Sequence, residues 1–103
     1  MKENSMKLGF IGTGNMAGAI MGGIIKNEIL RQEEIIGADI SEAGRDRVKN
    51  TYGIHVTDNN REAAGKSEVL ILSVKPQYYA DAIAEIRDCI SEDQLIITIA
   101  PGK

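Results

Sequence analysis

The stretch Leu8-Gly9-Phe10-Ile11-Gly12-Thr13-Gly14-Asn15-Met16-Ala17 decides the fold of this chain. A short apolar run passes through two glycines into residues with helical spacing, which predicts a strand, a tight turn and a helix. Gly12 permits the turn, Gly14 lets a ligand approach the backbone, and Ala17 allows close helix–strand packing. The helix start directs free N–H groups and a positive dipole end at the turn, an arrangement suited to a pyrophosphate.

Short apolar runs and helical patterns alternate along the rest of the chain. Strands are predicted at 8–11, 35–38, 54–56, 69–74 and 95–100, and helices at about 16–27, 42–51, 61–64 and from 76 onward. Such alternation is typical of a parallel sheet with right-handed crossovers. Together with the glycine turn, it predicts a Rossmann-type α/β domain with strand order 3-2-1-4-5 and helices on both faces.

The composition limits the classes of protein to which the chain can belong. With 103 residues, 43% hydrophobic and 26% charged, it is expected to form one folded domain or part of a larger one. No apolar run approaches the roughly 18 residues of a membrane span, and a net charge of -3 argues against a nucleic-acid surface. The single cysteine, Cys89, cannot form an internal disulfide, which fits a reducing cytoplasm. No cluster of metal ligands is recognisable in the sequence.

The domain boundaries follow from polarity and from the strand count. Residues 1–6 are predicted to form a flexible polar leader, with Met6 as an alternative start of the compact part, and residues 7–103 are predicted to form the domain. The sequence stops just after strand five, where another helix is expected because parallel sheets have both faces covered. We therefore expect a domain truncated after strand five, taken from a longer protein.

Asp39 is the main candidate for cofactor choice, because it follows strand two. A carboxylate there accepts hydrogen bonds from the adenine-ribose hydroxyls of NAD and repels the 2′-phosphate of NADP. It is alternatively a helix-capping residue beside Ser41. Arg45 and Arg47 could serve a 2′-phosphate, so the sequence favours NAD and leaves NADP open.

Two further polar segments are predicted at the same edge of the sheet. Ser73-Val74-Lys75-Pro76 follows strand four, next to the point where the strand order reverses. Lys75 is either a ligand for ribose hydroxyls or a substrate carboxylate, or an ordinary solvated lysine. Asn60 follows strand three and is either a cofactor contact or the cap of a short helix.

Two features of the first helix are expected to reflect packing. Gly22 and Gly23 each cost about 1 kcal/mol relative to alanine, so close packing is expected there, against the sheet or against something beyond this chain. Met16 and Met21 are expected to fill the core.

The segment Gly9–Met16, followed by Ala17 and the Gly22-Gly23 pair, resembles the opening of the pyrroline-5-carboxylate reductase family. The resemblance covers residues 7–103, and three further stretches match in order and spacing: Asp58-Asn59-Asn60-Arg61-Glu62, Val74-Lys75-Pro76-Gln77 and Ile97-Thr98-Ile99-Ala100-Pro101-Gly102-Lys103. That family reduces 1-pyrroline-5-carboxylate to L-proline with NAD(P)H.

The resemblance implies a role for each matching position. It implies that the pyrophosphate is cradled by Ile11, Gly12, Thr13, Gly14, Asn15 and Met16. It also implies that Asn60 contacts a ribose and that the nicotinamide side is lined by Ser73, Val74, Lys75, Pro76, Ile99, Ala100 and Pro101. Asp39 falls where the family chooses between cofactors. Pro101 departs from the usual alanine and lacks a backbone donor.

The family also has a helical C-terminal domain, which holds the substrate pocket and makes the dimer, and the sequence contains no counterpart to it. The resemblance therefore implies no catalytic residue here, no activity of this chain alone, and a homo-oligomer only with that domain. The alternatives are a β-hydroxyacid-dehydrogenase-like enzyme, another imine reductase, or a dinucleotide-binding module without catalysis.

Overall fold

The computed structural model describes residues 6–99 as a five-stranded parallel sheet flanked by four α-helices. The elements are β1 (Met6–Ile11), α1 (Asn15–Lys26), β2 (Ile35–Ala38), α2 (Glu42–Tyr52), β3 (His55–Thr57), α3 (Asn60–Lys66), β4 (Ser67–Leu72), α4 (Tyr79–Ile86) and β5 (Leu95–Thr98). All strand pairs are parallel, and the order β3-β2-β1-β4-β5 confirms the predicted Rossmann-type topology.

Several strand bounds differ from the predicted ones. β1 begins at Met6, which the sequence placed in the leader, and the rest of the leader lies outside the described residues. β4 was predicted at 69–74 and runs from Ser67 to Leu72, because its pairing with β1 begins at Met6 opposite Ser67. Val74 therefore belongs to the connection after β4. β5 ends at Thr98.

The helix ends follow the local signals in the sequence. The Ser41 hydroxyl accepts a hydrogen bond from the Gly44 N–H at 3.1 Å and caps α2. Gly53 ends the same helix in the left-handed region, at φ 72°. Pro76 begins a short 3₁₀ turn (Pro76–Tyr78) that leads into α4, so the helix starts later than predicted.

Each face of the sheet carries its own core. Leu8 and Phe10 of β1 pack on the first face with residues of α1 and α2, including Met21 and Val48. The second face holds another group, with α3 and α4 packed against it: Ile11, Ala64, Leu70, Leu72 and Ile86. Alternation along the strands accounts for this division, since successive side chains point to opposite faces.

The first face is open at β5. Ile96 packs against the core of the second face, so its neighbours Leu95 and Ile97 point to the first. Leu95 is 57% exposed and Ile97 is 38% exposed, and no helix within residues 6–99 covers them. None of the helices in that range is long and apolar enough to cross a membrane.

The adjacent glycines of α1 have different surroundings. A Cβ at Gly22 would lie 3.2 Å from the Tyr52 ring, so this glycine lets α1 approach α2 rather than the sheet. A Cβ at Gly23 would meet nothing within 4 Å. Of the two methionines predicted for the core, Met21 is buried, whereas Met16 is 39% exposed and that prediction was wrong. Met16 lies in the first turn of α1, at the edge of the sheet.

Gly9 is the glycine on which the packing of β1 depends most. A Cβ at Gly9 would lie 2.0 Å from the Ser67 Oγ, and Ser67 is fully buried with its hydroxyl donating to the Ala63 carbonyl at 2.7 Å. We expect Gly9→Ala to lower the free energy of unfolding by about 1–3 kcal/mol through overpacking. Gly23→Ala should instead raise it by about 0.5–1 kcal/mol, because the site is open and helical. Urea unfolding followed by circular dichroism measures both, and equal stability of the two variants would contradict this account.

Candidate cofactor-binding site

The glycine turn after β1 has a backbone that requires glycine at its first position. Gly12 has φ 98°, and a Cβ there would lie 2.9 Å from the Ser73 carbonyl oxygen. The turn is tied to both neighbouring strands, since the Gly12 N–H donates to the Ala38 carbonyl at 2.8 Å and the Ser73 hydroxyl donates to the Gly12 carbonyl at 2.8 Å. The turn is thus held at the centre of the sheet's carboxyl edge.

Thr13 joins this turn to the end of β2 through Asp39. The Thr13 N–H and hydroxyl both donate to Asp39 Oδ2, at 2.9 and 2.7 Å, and the Ser41 N–H donates to Oδ1 at 2.9 Å. Asp39 therefore does not cap α2, because Ser41 is the N-cap of that helix. Its carboxylate instead joins the glycine turn to the Ser41 N–H. A carboxylate accepts about four hydrogen bonds, so capacity for a ribose hydroxyl remains.

Thr13 is fully buried in a slot formed by two glycines. A Cβ at Gly37 would lie 3.0 Å from the Thr13 methyl carbon, and one at Gly44 would lie 3.0 Å from the Thr13 hydroxyl oxygen. Larger residues at these positions in β2 and α2 would push Thr13 away from Asp39. The slot makes Thr13 the anchor of the turn.

Two arginines of α2 bind backbone carbonyls of the same region. The Arg45 guanidinium donates to the Asp39 carbonyl at 2.9 Å, and the Arg47 guanidinium donates to the Thr13 carbonyl at 2.6 Å. The sequence suggested both arginines as ligands of a 2′-phosphate. In the structure, each guanidinium donates one hydrogen bond to the backbone. A guanidinium carries five donors, so each retains others.

The hydrogen bonds also set the protonation of Asp39. Partial burial acts to raise the pKa of its carboxyl group, but the hydrogen bonds from Ser41 and Thr13, together with the charge of Arg45, outweigh it. The pKa of Asp39 is therefore lowered below its ordinary value, and the group is ionised at neutral pH.

The N-terminus of α1 is free to receive an anion. Its N-cap is Gly14, no side chain in the described part of the chain caps it, and its first turn has no acidic residue. By contrast, α2 and α3 are capped by Ser41 and Asn59 and have a glutamate in the first turn. Because the first N–H groups of a helix have no partner within it, this end offers donors for a phosphate.

A cavity of about 500 Å³ lies beside the glycine turn, on the face of the sheet that carries α3 and α4. It brings together five of the predicted site residues: Ile11, Gly12, Asp39, Asn60 and Val74. Asn60 is the first residue of α3, and its amide donates to Glu85 Oε1 of α4 at 2.9 Å. The cavity thus joins the ends of β1 and β2 to the two helices.

The remaining predicted residues lie around this cavity rather than in its wall. Gly14, Asn15 and Met16 form the start of α1, Ser73 is tied to the glycine turn, and Lys75 and Pro76 are exposed. Ile99 donates its N–H to the Leu72 carbonyl at 3.1 Å and accepts a hydrogen bond from the Tyr79 hydroxyl. Ala100 and Pro101 lie outside the described residues.

One wall of the cavity, which comes from α4 and the turn before it, was not predicted from the sequence. Tyr78, Asp81, Ala82 and Glu85 line this wall, and Ile40 lines the opposite one. The spacing of Asp81 and Glu85, four residues apart on one helix face, was the available signal. In residues 6–99 no three His, Cys, Asp or Glu side chains lie close enough together to hold a metal ion.

The topology, the glycine turn and the free end of α1 define a Rossmann-type domain of the class that binds nucleotide cofactors. A comparison with protein families agrees: residues 7–102 match the family described as NADP oxidoreductase, coenzyme F420-dependent. The chain belongs to that family.

Individual relatives confirm the resemblance noted in the sequence. The chain is 36% identical over 98 residues to a pyrroline-5-carboxylate reductase of Methanosarcina acetivorans, covering 95% of this chain and 36% of that protein. A solved reductase of the same name from Coxiella burnetii superposes with a TM-score of 0.87 at 35% identity, over 96% of this chain and 37% of that one. A Plasmodium falciparum pyrroline carboxylate reductase with NADP bound superposes with a TM-score of 0.78 at 28% identity, over 97% and 35%. The chain thus spans a little over a third of the length of these relatives.

Asp39→Asn is expected to destabilise the fold in a pH-dependent way. At pH 7 the variant loses charged hydrogen bonds, which lowers the free energy of unfolding by about 1–3 kcal/mol. Because the pKa of Asp39 is lowered in the folded state, its stabilisation is present above the unfolded-state pKa and disappears as the pH falls through the folded-state pKa. The free energies of unfolding of Asp39→Asn and of the unchanged chain should therefore become more similar below about pH 4.

Urea unfolding at neutral and acid pH measures this difference. Asp46→Asn, on the exposed side of α2, is the matched control and should change stability little at either pH. If Asp39→Asn lowers the free energy of unfolding by the same amount at neutral and acid pH, the charge of Asp39 does not hold the turn.

Proposed function

We propose that this chain is the NAD(P)H-binding portion of a pyrroline-5-carboxylate reductase. The observation that carries the cofactor assignment is Gly14. Its φ is -75°, and a Cβ there would meet nothing within 4 Å, so the fold itself does not require glycine at the N-terminus of α1. A glycine at this position is explained by a ligand whose phosphates approach the backbone more closely than a side chain would permit.

The residues around the turn fit a dinucleotide laid across the carboxyl edge of the sheet. The N–H groups of Gly14, Asn15 and Met16 would hold the pyrophosphate, and Asp39 and Asn60 would bind the adenine ribose in the cavity. The segment 73–76 and Ile99 would border the nicotinamide. When bound, NAD(P)H supplies the hydride, and the chain's own residues bind and orient it.

The substrate assignment derives support from the relatives, whose names specify pyrroline-5-carboxylate reduction. Reduction of this carbon–nitrogen double bond by hydride transfer needs no protein nucleophile, and we assign no catalytic residue within residues 6–99. The substrate needs a second wall over the nicotinamide, and we assign that wall to the part of such a protein beyond the 36% that this chain matches. We therefore expect this chain alone to bind cofactor without turnover, in the cytoplasm, with oligomerisation left to the remaining two thirds of such a protein.

The cofactor assignment is tested by titrating the chain with NADH and with NADPH while following cofactor fluorescence. We expect saturable binding, and we expect Gly14→Val to weaken it at least tenfold, equivalent to about 1.4 kcal/mol. The fold of this variant should persist because the added side chain points into open space. Gly23→Ala is the matched control: it also fills open space on α1, but far from the turn. Saturable binding that Gly14→Val leaves unchanged would refute the role of the turn.

The reductase assignment needs a second experiment. Residues 7–103 replace the corresponding third of the Methanosarcina acetivorans reductase, and NADH oxidation is measured with and without 1-pyrroline-5-carboxylate. Substrate-dependent oxidation that disappears in Gly14→Val is the expected result. A chimera that binds NADH and remains inactive would favour a binding module without catalysis.

A further inference from the structure

The cavity beside the glycine turn has an uneven distribution of charge and apolar surface. Every charged residue that residues 6–99 contribute to its lining is acidic, namely Asp39, Asp81 and Glu85. Asp39 accepts three hydrogen bonds from Thr13 and Ser41 and keeps room for about one more, whereas the other two carboxylates belong to α4 on the far wall. Carboxylates accept hydrogen bonds and donate none when ionised, so this wall suits a ligand edge that carries donors.

The walls on either side are apolar and open to solvent. Ile40 is 87% exposed and Tyr78 is 55% exposed, and both line the cavity mouth, while Ile11 and Ala38 are buried beneath them. Large apolar groups left so exposed around a concave site mark a surface that a ligand covers. A flat aromatic ring fits this description, since its faces are apolar and its edge is polar.

Glu85 is the acidic wall residue with a restrained side chain. The Asn60 amide donates to Glu85 Oε1 at 2.9 Å, and Arg61 donates to the Glu85 carbonyl at 3.0 Å while also pairing with Asp88 at 2.6 Å. These contacts tie α4 to the start of α3 and hold Glu85 from both its side chain and its backbone. Since a carboxylate has about four acceptor sites, the Asn60 contact leaves others for a ligand.

We propose that Glu85 selects adenine as the base of the bound dinucleotide by accepting a hydrogen bond from its exocyclic amino group. This inference rests on the proposed cofactor site, because the pyrophosphate at α1 and the ribose at Asp39 direct the base toward α4. Adenine presents its N6 amino group as the donor on its polar edge, and an ionised carboxylate is its natural partner. Hypoxanthine has a carbonyl oxygen at that position, and its N–H donor is at N1. The Glu85 carboxylate would therefore face a lone pair of the carbonyl oxygen.

The test compares the Kd of NADH with that of its hypoxanthine analogue, reduced nicotinamide hypoxanthine dinucleotide, by fluorescence titration. The analogue cannot form the hydrogen bond to the Glu85 carboxylate. Because hydrogen bonds to charged groups are strong, we expect the unchanged chain to bind NADH about tenfold or more tightly than the analogue. In Glu85→Gln the ratio of the two Kd values should approach one. The glutamine amide can accept a hydrogen bond from the amino group of adenine and can donate one to the carbonyl of hypoxanthine. The amide oxygen also still accepts from Asn60, so the fold is preserved.

Two further variants locate the effect. Glu92→Gln, an exposed change in the turn before β5, should keep the full NADH preference. Asp81→Asn should keep most of it, and loss of the preference there but not in Glu85→Gln would overturn the assignment. Equal Kd values for the two nucleotides in the unchanged chain would overturn the inference and leave the cofactor site intact. Failure of the chain to bind either nucleotide would overturn both.

Discussion

The hydrogen bonds between Thr13 and Asp39 position the glycine turn and the start of α1 at the carboxyl edge of the sheet. They join the turn after β1 to the end of β2, across 26 residues of sequence, and the Ser41 N–H adds the start of α2 to the same carboxylate. Because the carboxylate is ionised, each of these bonds is charge-assisted and stronger than a neutral one. The direction of α1, and so the point at which its free N–H groups aim, depends on this link.

In the proposed cofactor site, the same link couples the choice of cofactor at Asp39 to the shape of the glycine turn. In the usual description of such domains, the acidic residue after β2 serves only the ribose. Here it also anchors the turn, and Arg45 and Arg47 hold the neighbouring carbonyls. In the proposed site, a change that admits a 2′-phosphate by removing Asp39 would also loosen the turn proposed to hold the pyrophosphate. We therefore expect a change of cofactor preference to require replacement of this network rather than of one residue.

Local patterns in the sequence were sufficient to predict the topology and several element ends. The strand order, the bounds of β2, the Ser41 cap and the Gly53 helix end are all confirmed, because each depends on neighbouring residues or on general rules of connection. The slot for Thr13 and the acidic wall on α4 were not predicted. Both arise from residues that are distant in sequence: Gly37 and Gly44 meet Thr13, and Glu85 meets Asn60. Contacts between residues so far apart produce no periodic pattern in the sequence.

The open face at β5 affects how the isolated chain behaves in solution. Among the strands of residues 6–99, β5 lies at an edge, so its outer N–H and C=O groups face away from the sheet, next to the exposed Leu95 and Ile97. An edge with apolar side chains beside it is a template for pairing with another chain. The domain on its own should thus become more prone to self-association as its concentration rises, and a covering helix or partner at this face would act as a solubility element as well as a structural one.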